Sequence, residues 1–418
     1  MYIKKVSIVN IRSIEKFEME FDQPAGWHVI IGDNGSGKST ILRSIALSLL
    51  GEDDAKALSF SEEFANWLPP GKNKGTIKAE ALRDNNYDMP ANKSNKNLTS
   101  EITIERLSGN DKVTINGKIS HQNALWGQYS SNNGWFVAAY GPFRRLKGNY
   151  ETVVSSRPRL GACITAFKEE VALTQLPVWL KNLALDSDKK PVAKKTIDYI
   201  INFINHSDLL PGGAQLTNDI DSEGIRLKDG NNVNISLQEM SDGFRSVLSM
   251  LLDIIRYMIE VYGLDKIFMN SGNQNSIDLP GVVLIDEIDA HLHPTWQTRI
   301  GGWFLKYFPN IQFIVSTHSP LICRACDHGS IMRLAAPGSG KKSSLIEGID
   351  KDKLVFGNIL DAYGTEIFGD TPVKSSKTDE KLKRLGQLNR LSALGKISPE
   401  GEIERTLLQF TLSTNVTA

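Results

Sequence analysis

Eight residues near the start of the chain have the types and spacing of a phosphate-binding loop. Residues 32–39 read GDNGSGKS, which fits the pattern G-x-x-x-x-G-K-[ST] between a predicted strand and a predicted helix. Glycines at this spacing let successive backbone N–H groups turn inward around phosphate oxygens, at the positive end of the following helix. The residues expected to contact a nucleoside triphosphate are Gly32, Asn34, Gly35, Gly37, Lys38, Ser39 and Thr40.

Two acidic residues end an apolar run far along the chain. Residues 282–285 are Val-Val-Leu-Ile, and Asp286 and Glu287 follow directly. A buried strand would carry Asp286 to its carboxyl end, where a carboxylate can help to hold Mg²⁺ together with Ser39. Glu287 would then be placed to orient and deprotonate an attacking water.

Two further positions belong to the same chemistry. Residues 311–317 form a second apolar run, and His318 at its end is placed to hydrogen-bond a γ-phosphate. Ser241 and Gly243 open a predicted helix, in which serine suits the N-cap and glycine allows close approach of a phosphate. Taken alone, this pair indicates only a helix start.

These four elements, in this order, resemble the ABC ATPase superfamily, whose signature helix opens with S-x-G and whose paired acids form the Walker B motif. Residues 10–13 (NIRS) look like the N-F-R element of SMC, RecF and OLD-type heads. Residues 286–294 (DEIDAHLHP) match a form found in stand-alone ATPases of bacterial anti-phage systems, such as Septu and PARIS. The resemblance implies ATP hydrolysis at a site shared by two copies of the chain.

The resemblance also implies roles for individual residues. It assigns catalysis to Glu287 as general base, His318 as switch, and Lys38, which reaches the β- and γ-phosphates. Beyond the phosphate loop, the residues that it assigns to the nucleotide are Arg12, Ser241, Gly243 and Asp289, the last of these as a dimer contact. Ser241 and Gly243 would face the γ-phosphate held by the other protomer. ATP and Mg²⁺ are the implied cofactors.

One residue of the family pattern is missing. The superfamily places a glutamine after the strand predicted at 135–140, but residues 141–145 read GPFRR. We therefore expect Arg144 or Arg145 to serve in place of that glutamine. The long spacing from Ser241 to Asp286 is interpreted as a surface insertion around Asn270.

Hydrophobic periodicity supplies the elements that must position these residues. It predicts strands at 2–10, 15–22, 27–31, 101–106 and 112–119, the last interrupted by a turn at Asn116-Gly117, a hairpin near Asp229-Gly230, and a helix at 39–50. The fold class is α/β: an ABC-type P-loop ATPase head with an antiparallel β subdomain, a helical insertion and a short helical C-terminal tail. The predicted domains are 1–150 (ATPase lobe, with a loop insertion at 51–97), 151–222 (helical insertion), 223–340 (signature, Walker B and switch histidine) and 341–418 (helical appendage).

Composition limits the partners. The 418 residues carry 48 basic and 48 acidic side chains, so the net charge of zero gives no indication of nucleic-acid binding, which would need a local basic patch. No apolar run is long enough to cross a membrane. The three cysteines suit a reducing compartment, and a cytoplasmic location is expected.

Three other groupings are interpreted as structural. Cys323 and Cys326 have no second ligand pair and favour a helix after His318, and His291 and His293 fit the family match better than a metal site. The basic residues Arg144, Arg145, Lys147, Arg157 and Arg159 are interpreted as a solvated face rather than a DNA contact.

Two functions remain open at this stage. The first is an ATPase that senses or scaffolds for a separate effector, implied to be a nuclease encoded nearby, in anti-phage defence. It would act as a homodimer or a higher even-numbered homo-oligomer. The alternative is a RecF/SMC-like DNA-repair ATPase. Long SMC arms are excluded, because only about 200 residues separate the phosphate loop from the signature and they lack heptads.

Overall fold

The computed structural model describes residues 1–59, 64–84, 86–88, 97–107, 112–119, 135–144, 157–169, 171, 173, 175–221, 224–269, 276–336, 338–358 and 376–412. The chain divides into two compact units, Met1–Gly357 and Asn358–Ala418.

Strands are numbered here in chain order: β1 (Tyr2–Ile11), β2 (Ile14–Glu20), β3 (Gly26–Ile31), β4 (Lys74–Leu82), β5 (Asn97–Arg106), β6 (Val113–Ile119), β7 (Val137–Tyr140), β8 (Gln215–Asp221), β9 (Gly224–Lys228), β10 (Asn234–Ser236), β11 (Gly281–Ile285), β12 (Ile311–Thr317), β13 (Ile331–Arg333) and β14 (Ser344–Ile346).

Helices are numbered in the same way: α1 (Lys38–Leu50), α2 (Glu52–Leu58), α3 (Pro158–Phe167), α4 (Gln175–Ser187), α5 (Pro191–Asn205), α6 (Asp242–Tyr262), α7 (Leu264–Met269), α8 (Pro294–Tyr307), α9 (Gly348–Phe356), α10 (Ser376–Ala393) and α11 (Pro399–Leu412). Short 3₁₀ segments occupy Phe64–Trp67, Pro211–Gly213, Leu237–Glu239 and Pro320–Ala325.

A mostly parallel sheet carries the predicted phosphate loop and acids. Its strand order is β14-β13-β3-β12-β11-β7, in which β13, β3, β12, β11 and β7 run parallel and β14 is antiparallel. Every residue of β3, β11 and β12 is buried, as expected for near-continuous apolar runs covered on both faces. The carboxyl ends of these three strands therefore meet at one edge of the sheet.

An antiparallel sheet of order β2-β1-β4-β5-β6 confirms the predicted strand pair at the start of the chain. The loop predicted for residues 51–97 is wrong at β4, which pairs with β1 on one side and β5 on the other. Its sequence, KGTIKAEAL, alternates small or apolar residues with charged ones, a pattern of half-buried strands that its low hydrophobicity concealed.

The turn predicted at Asn116-Gly117 is also wrong, because β6 continues through both residues. A Cβ at Gly117 would lie 2.5 Å from the Cβ of Glu52. The glycine at this position permits close packing of β6 against α2 rather than a change of direction.

Helix α1 lies between the two sheets. Its apolar residues share one core with residues of β1 and β4 from the antiparallel sheet and of β7, β11 and β12 from the parallel sheet. Even Ser44 and Ser48 on α1 are fully buried, so the helix has no solvent face over most of its length.

Helices α3, α4 and α5 occupy most of the segment predicted as a helical insertion, and a small antiparallel sheet of order β10-β9-β8 follows them. The hairpin predicted near Asp229-Gly230 joins β9 to β10.

Strand β14 and helix α9 belong to the first unit, so the part of the chain that forms the second unit begins later than residue 341. In the second unit, Arg384 on α10 makes two hydrogen bonds, of 3.0 and 2.7 Å, to Glu404 on α11. Within the described ranges, no helix is long and apolar enough to span a bilayer.

Neighbouring glycines on α8 provide a test of this packing. A Cβ at Gly301 would lie 2.5 Å from the Cβ of Ala325 and 2.9 Å from Cε2 of Trp27, whereas a Cβ at Gly302 meets no atom within 4 Å. We expect Gly301→Ala to lower the free energy of unfolding by roughly 1–3 kcal/mol through overpacking. Gly302→Ala, the matched control, should raise it by up to about 1 kcal/mol through helix propensity. Thermal and urea unfolding of both variants measures this, and equal shifts would contradict the packing described.

Candidate functional site

The phosphate loop connects the end of β3 to the start of α1. Gly35 and Gly37 adopt φ values of 76° and 96°, in the left-handed region that favours glycine. Lys38 is 6% exposed, and its ammonium group donates to the backbone carbonyls of Gly32 at 2.9 Å and Asp33 at 3.1 Å. These bonds curl the lysine over its own loop.

The pKa of Lys38 depends on the carboxylates that follow β11. Burial lowers the pKa of Lys38, while the carboxylates of Asp286, Glu287, Asp289 and Asp33 act in the opposite direction. The structure thus places the predicted lysine and the predicted acids in one electrostatic neighbourhood. Ser39 is half-buried, Thr40 is buried, and Asn34 is exposed.

Ser316, near the end of β12, fixes both acids that follow β11. Its hydroxyl donates to Oδ1 of Asp286 at 2.5 Å and accepts the backbone N–H of Glu287 at 2.8 Å. Asp286 is 4% exposed, and Glu287 is half-buried with a φ of 46°. Left-handed backbone in a residue other than glycine costs about 1–3 kcal/mol and persists only where the surroundings hold it, often at functional sites.

The segment after the acids, residues 288–293, is called the D-loop here. Oδ1 of Asp289 accepts a hydrogen bond from the Thr317 hydroxyl at 2.5 Å. Gln297 on α8 donates to the carbonyl of Leu292 at 2.8 Å and accepts from the Ser319 hydroxyl at 2.7 Å. The D-loop is therefore held by the two residues that flank His318, whose own side chain is exposed at the end of β12.

The signature residues begin α6 beside the D-loop. Ser241 occupies the N-cap position, but its side chain makes no capping hydrogen bond and is exposed. A Cβ at Gly243 would lie 2.4 Å from the carbonyl oxygen of His291. Glycine at 243 is thus required by packing within one chain, a reason that the sequence interpretation did not include.

Arg144 lies beneath the acids, 5% exposed. Its guanidinium donates to the Ser246 hydroxyl at 2.8 Å, and to the carbonyls of Asp286 at 2.9 Å and Glu287 at 3.2 Å. Burial lowers the pKa of Arg144 to about 10, while the charges of Asp286, Asp289 and Glu287 raise it, so the group stays cationic at neutral pH. Whether Arg144 serves in place of the missing glutamine stays a prediction; in this structure the cation bonds backbone carbonyls and a serine hydroxyl. Arg145 lies outside the described residues.

Arg12 lies against Trp67. Its guanidinium carbon lies 4.9 Å from the ring centre of Trp67, and its φ is 51°. The neighbouring residues Ser13 and Ile14 approach Gly37 within about 3.5 Å of an added Cβ, so the segment borders the phosphate loop. A nucleotide contact by Arg12 stays a prediction.

The remaining groupings have structural explanations. The Cys323 and Cys326 thiols are buried, burial raises the pKa of each, and both lie on or beside the 3₁₀ segment after His318. His293 caps α8 by accepting the N–H of Thr295. Across the residues that the structure describes, no cluster of histidine, cysteine and acidic side chains could hold a metal ion.

The predicted solvated basic face is wrong where it can be followed. Arg144 is buried, and Arg159 lies with its guanidinium carbon 4.6 Å from the ring centre of Trp135. Arg157 donates to Asp54 at 2.6 Å. Lys147 lies outside the described residues.

Sequence reasoning missed four residues that shape the site: Ser316, Thr317, Ser246 and Gln297. A signal was present for the first two, because a Ser-Thr pair ends an otherwise apolar run immediately before His318. Ser246 and Gln297 lie on amphipathic helices, where a polar residue carries no such signal.

Two models of AAA domains match the chain. One, described as "AAA domain", matches residues 5–147, and the other, described as "AAA domain, putative AbiEii toxin, Type IV TA system", matches residues 172–324. The first range contains the phosphate loop, and the second contains the signature, both acids and His318.

Curated relatives agree with these models. Septu protein PtuA of Bacillus mycoides is 25% identical over 339 residues, covering 79% of this chain and 40% of the relative, so the chain spans less than half of that protein's length. The protein named "Retron Ec83 probable ATPase" of Escherichia coli is 24% identical over 411 residues, covering 83% of this chain and 73% of the relative.

The fold is that of an SMC head. The crystal structure of an SMC head bound to the C-terminal winged-helix domain of ScpA matches with a TM-score of 0.50 and 17% identity, covering 83% of this chain and 97% of that chain. Together with the ATPase relatives, this fold confirms the resemblance drawn from the motifs. The chain therefore has the fold of an SMC head and is similar in sequence to AAA domains, to Septu protein PtuA and to a probable ATPase of a retron.

Proposed function

We propose that this ATPase binds MgATP between two copies of itself and uses that pairing to control a separate effector, a nuclease, in anti-phage defence. The observation that carries the proposal is that Lys38 follows β3 and Asp286 and Glu287 follow β11 at the carboxyl edge of one parallel sheet, where the carboxylates act to raise the pKa of Lys38. Such an edge is where open α/β sheets bind their ligands.

The residues at this edge fit a triphosphate and its metal. The Lys38 ammonium now bonds two loop carbonyls, and phosphate oxygens would take their place. Ser39 and Asp286 would hold Mg²⁺, which neutralises charge on the phosphates when bound. Glu287 would accept the proton of the attacking water, and Ser316 keeps its backbone in place.

The shared site rests on the exposed start of α6. Gly243 is packed against the D-loop of its own chain, which leaves the Ser241 side chain and the helix N-terminus facing solvent. A helix N-terminus attracts phosphate, so a second copy could present its γ-phosphate there. Asp289, half-buried in the D-loop, would lie near the same contact.

The effector role is supported by relatives from the Septu and retron systems. Exposed apolar side chains on the described helices are candidates for docking. Val178 and Leu185 on α4 and Val192 on α5 are 58%, 64% and 62% exposed. Ile403 and Leu407, on α11 of the second unit, are 63% and 62% exposed.

Glu287→Gln should retain ATP binding and lose turnover by roughly 10²–10⁴-fold, because an amide cannot accept the water's proton. Steady-state phosphate release and equilibrium titration with a fluorescent ATP analogue separate the two effects. Glu347→Gln, at an exposed position on the same unit, is the matched control and should behave as the parent. Parental turnover in Glu287→Gln would place the base elsewhere.

Ser241→Arg should leave ATP binding intact and prevent ATP-dependent pairing, because a large cation would block the exposed helix start. Lys38→Ala should bind ATP about 100-fold more weakly through loss of a charged contact to phosphate. Mixing the two inactive variants should restore one intact composite site per heterodimer and recover part of the ATPase activity. If heterodimers form in a tagged pull-down but recover no activity, the site is not shared.

The purified chain should leave plasmid DNA and tRNA uncut in Mg²⁺ or Mn²⁺, whereas a complex isolated from its native operon should contain a second polypeptide that cuts.

Leu185→Asp should weaken retention of that polypeptide if α4 is part of the docking surface. Leu107→Asp, at another exposed leucine, is the control. Cleavage by this chain alone that a point mutation abolishes would overturn the effector role, and ATPase stimulation by DNA without any partner would favour the DNA-repair alternative.

A further inference from the structure

Arg144 is a buried cation whose hydrogen bonds all end on neutral acceptors within the described part of the chain. Besides Ser246, Asp286 and Glu287, it reaches only its neighbour Gly141, whose carbonyl lies 3.4 Å away. Burying a charge without a directly bonded partner of opposite sign is costly. A serine hydroxyl and three carbonyls accept its hydrogen bonds but carry no opposite charge. Stability alone therefore does not explain why an arginine occupies this buried position.

One end of this guanidinium holds the backbone of the general base. Nη1 bonds the carbonyl of Asp286 and Nη2 that of Glu287, so two successive peptide groups are fixed by one rigid fork. The N–H of Glu287 is bonded by Ser316 from the other side. The left-handed backbone at Glu287, with φ of 46°, is therefore held at both its N–H and its carbonyl.

The other end of the guanidinium reaches the signature helix. Nε bonds the hydroxyl of Ser246, five residues after Ser241 on α6. A second polar contact joins α6 to the end of β7, because the Tyr140 hydroxyl donates to Oδ2 of Asp253 on α6 at 3.1 Å. Arg144 thus connects α6 directly to the Glu287 backbone.

We propose that Arg144 is a positioning residue that couples the signature helix to Glu287. The inference rests on the proposed function, in which α6 meets the nucleotide of the other copy. A shift of α6 on pairing moves Ser246, the guanidinium follows its hydrogen bond, and the carbonyl of Glu287 moves with it. The carboxylate is then aligned with water only in the paired state, which makes hydrolysis depend on pairing.

The first test breaks the connection at each of its two parts, the bond to Ser246 and the guanidinium itself. Ser246→Ala deletes the acceptor of Nε, and Arg144→Lys keeps the charge but cannot reproduce the planar fork. Each should lower kcat by about 10- to 100-fold, the size expected for misplacement of a catalytic group, with ATP affinity within about 3-fold of the parent. Ser249→Ala is the matched control, because the Ser249 hydroxyl bonds the Arg245 carbonyl within α6 and has no link to Arg144.

A double-mutant cycle distinguishes coupling from a structural role. The Arg144→Lys/Ser246→Ala variant should lose no more kcat than Arg144→Lys alone, because both changes break one connection. Losses that multiply, or that follow weakened ATP binding or a lowered melting temperature shared with Ser249→Ala, would overturn the inference.

Glu287→Gln separates this inference from the proposed function. If that variant loses turnover while Ser246→Ala and Arg144→Lys hydrolyse ATP at the parental rate, only the coupling is wrong. If Glu287→Gln itself turns over normally, the assignment of the general base has failed first.

Discussion

Ser316 lies on β12, the middle one of the three parallel strands that lead to the phosphate loop, to His318 and to the two acids. Its one hydroxyl donates to the carboxylate of Asp286 and accepts the N–H of Glu287. The arrangement requires β11 and β12 to be parallel and in register, with Ile285 opposite Val315, so that their ends reach the same edge. A slip of one residue would turn Ser316 to the opposite face of the sheet. The positions of both acids therefore depend on strand pairing as much as on their own sequence.

Two cations occupy this edge, and within the described residues neither makes a direct ion pair with the acids. Lys38 and Arg144 donate to carbonyls, while the nearby carboxylates act through space and oppose the effect of burial on both pKa values. In the described residues these carboxylates thus lack a direct ion pair with Lys38 or Arg144, although Ser316 bonds Asp286 and Thr317 bonds Asp289. Lys38 can exchange its bonds to loop carbonyls for bonds to phosphate oxygens. Arg144 is nearly inaccessible to solvent and has no such exchange, so it holds the backbone of the two acids in place.

The sequence predicted the parts of the site that are local. The phosphate loop, the acids after β11 and His318 after β12 each combine a short motif with an apolar strand, and the strands lie where expected. Contacts between distant segments were not predictable, because Arg144 and Ser246 are 102 residues apart and Ser316 is 30 residues from Asp286. Strand β4 was missed because lysine and glutamate at its exposed positions weaken the local hydrophobic pattern. Pairing with β1 on one side and β5 on the other forms the strand despite that weak pattern.

The burial of α1 between two sheets has a mechanical consequence. A helix packed on nearly all sides cannot tilt or slide without opening two interfaces at once, so the phosphate loop at its start moves as one rigid body with the sheets. Helix α6 is also largely buried, but it begins at an exposed end beside the D-loop. A second molecule that binds this exposed start can therefore act on the head without opening the interfaces around α1.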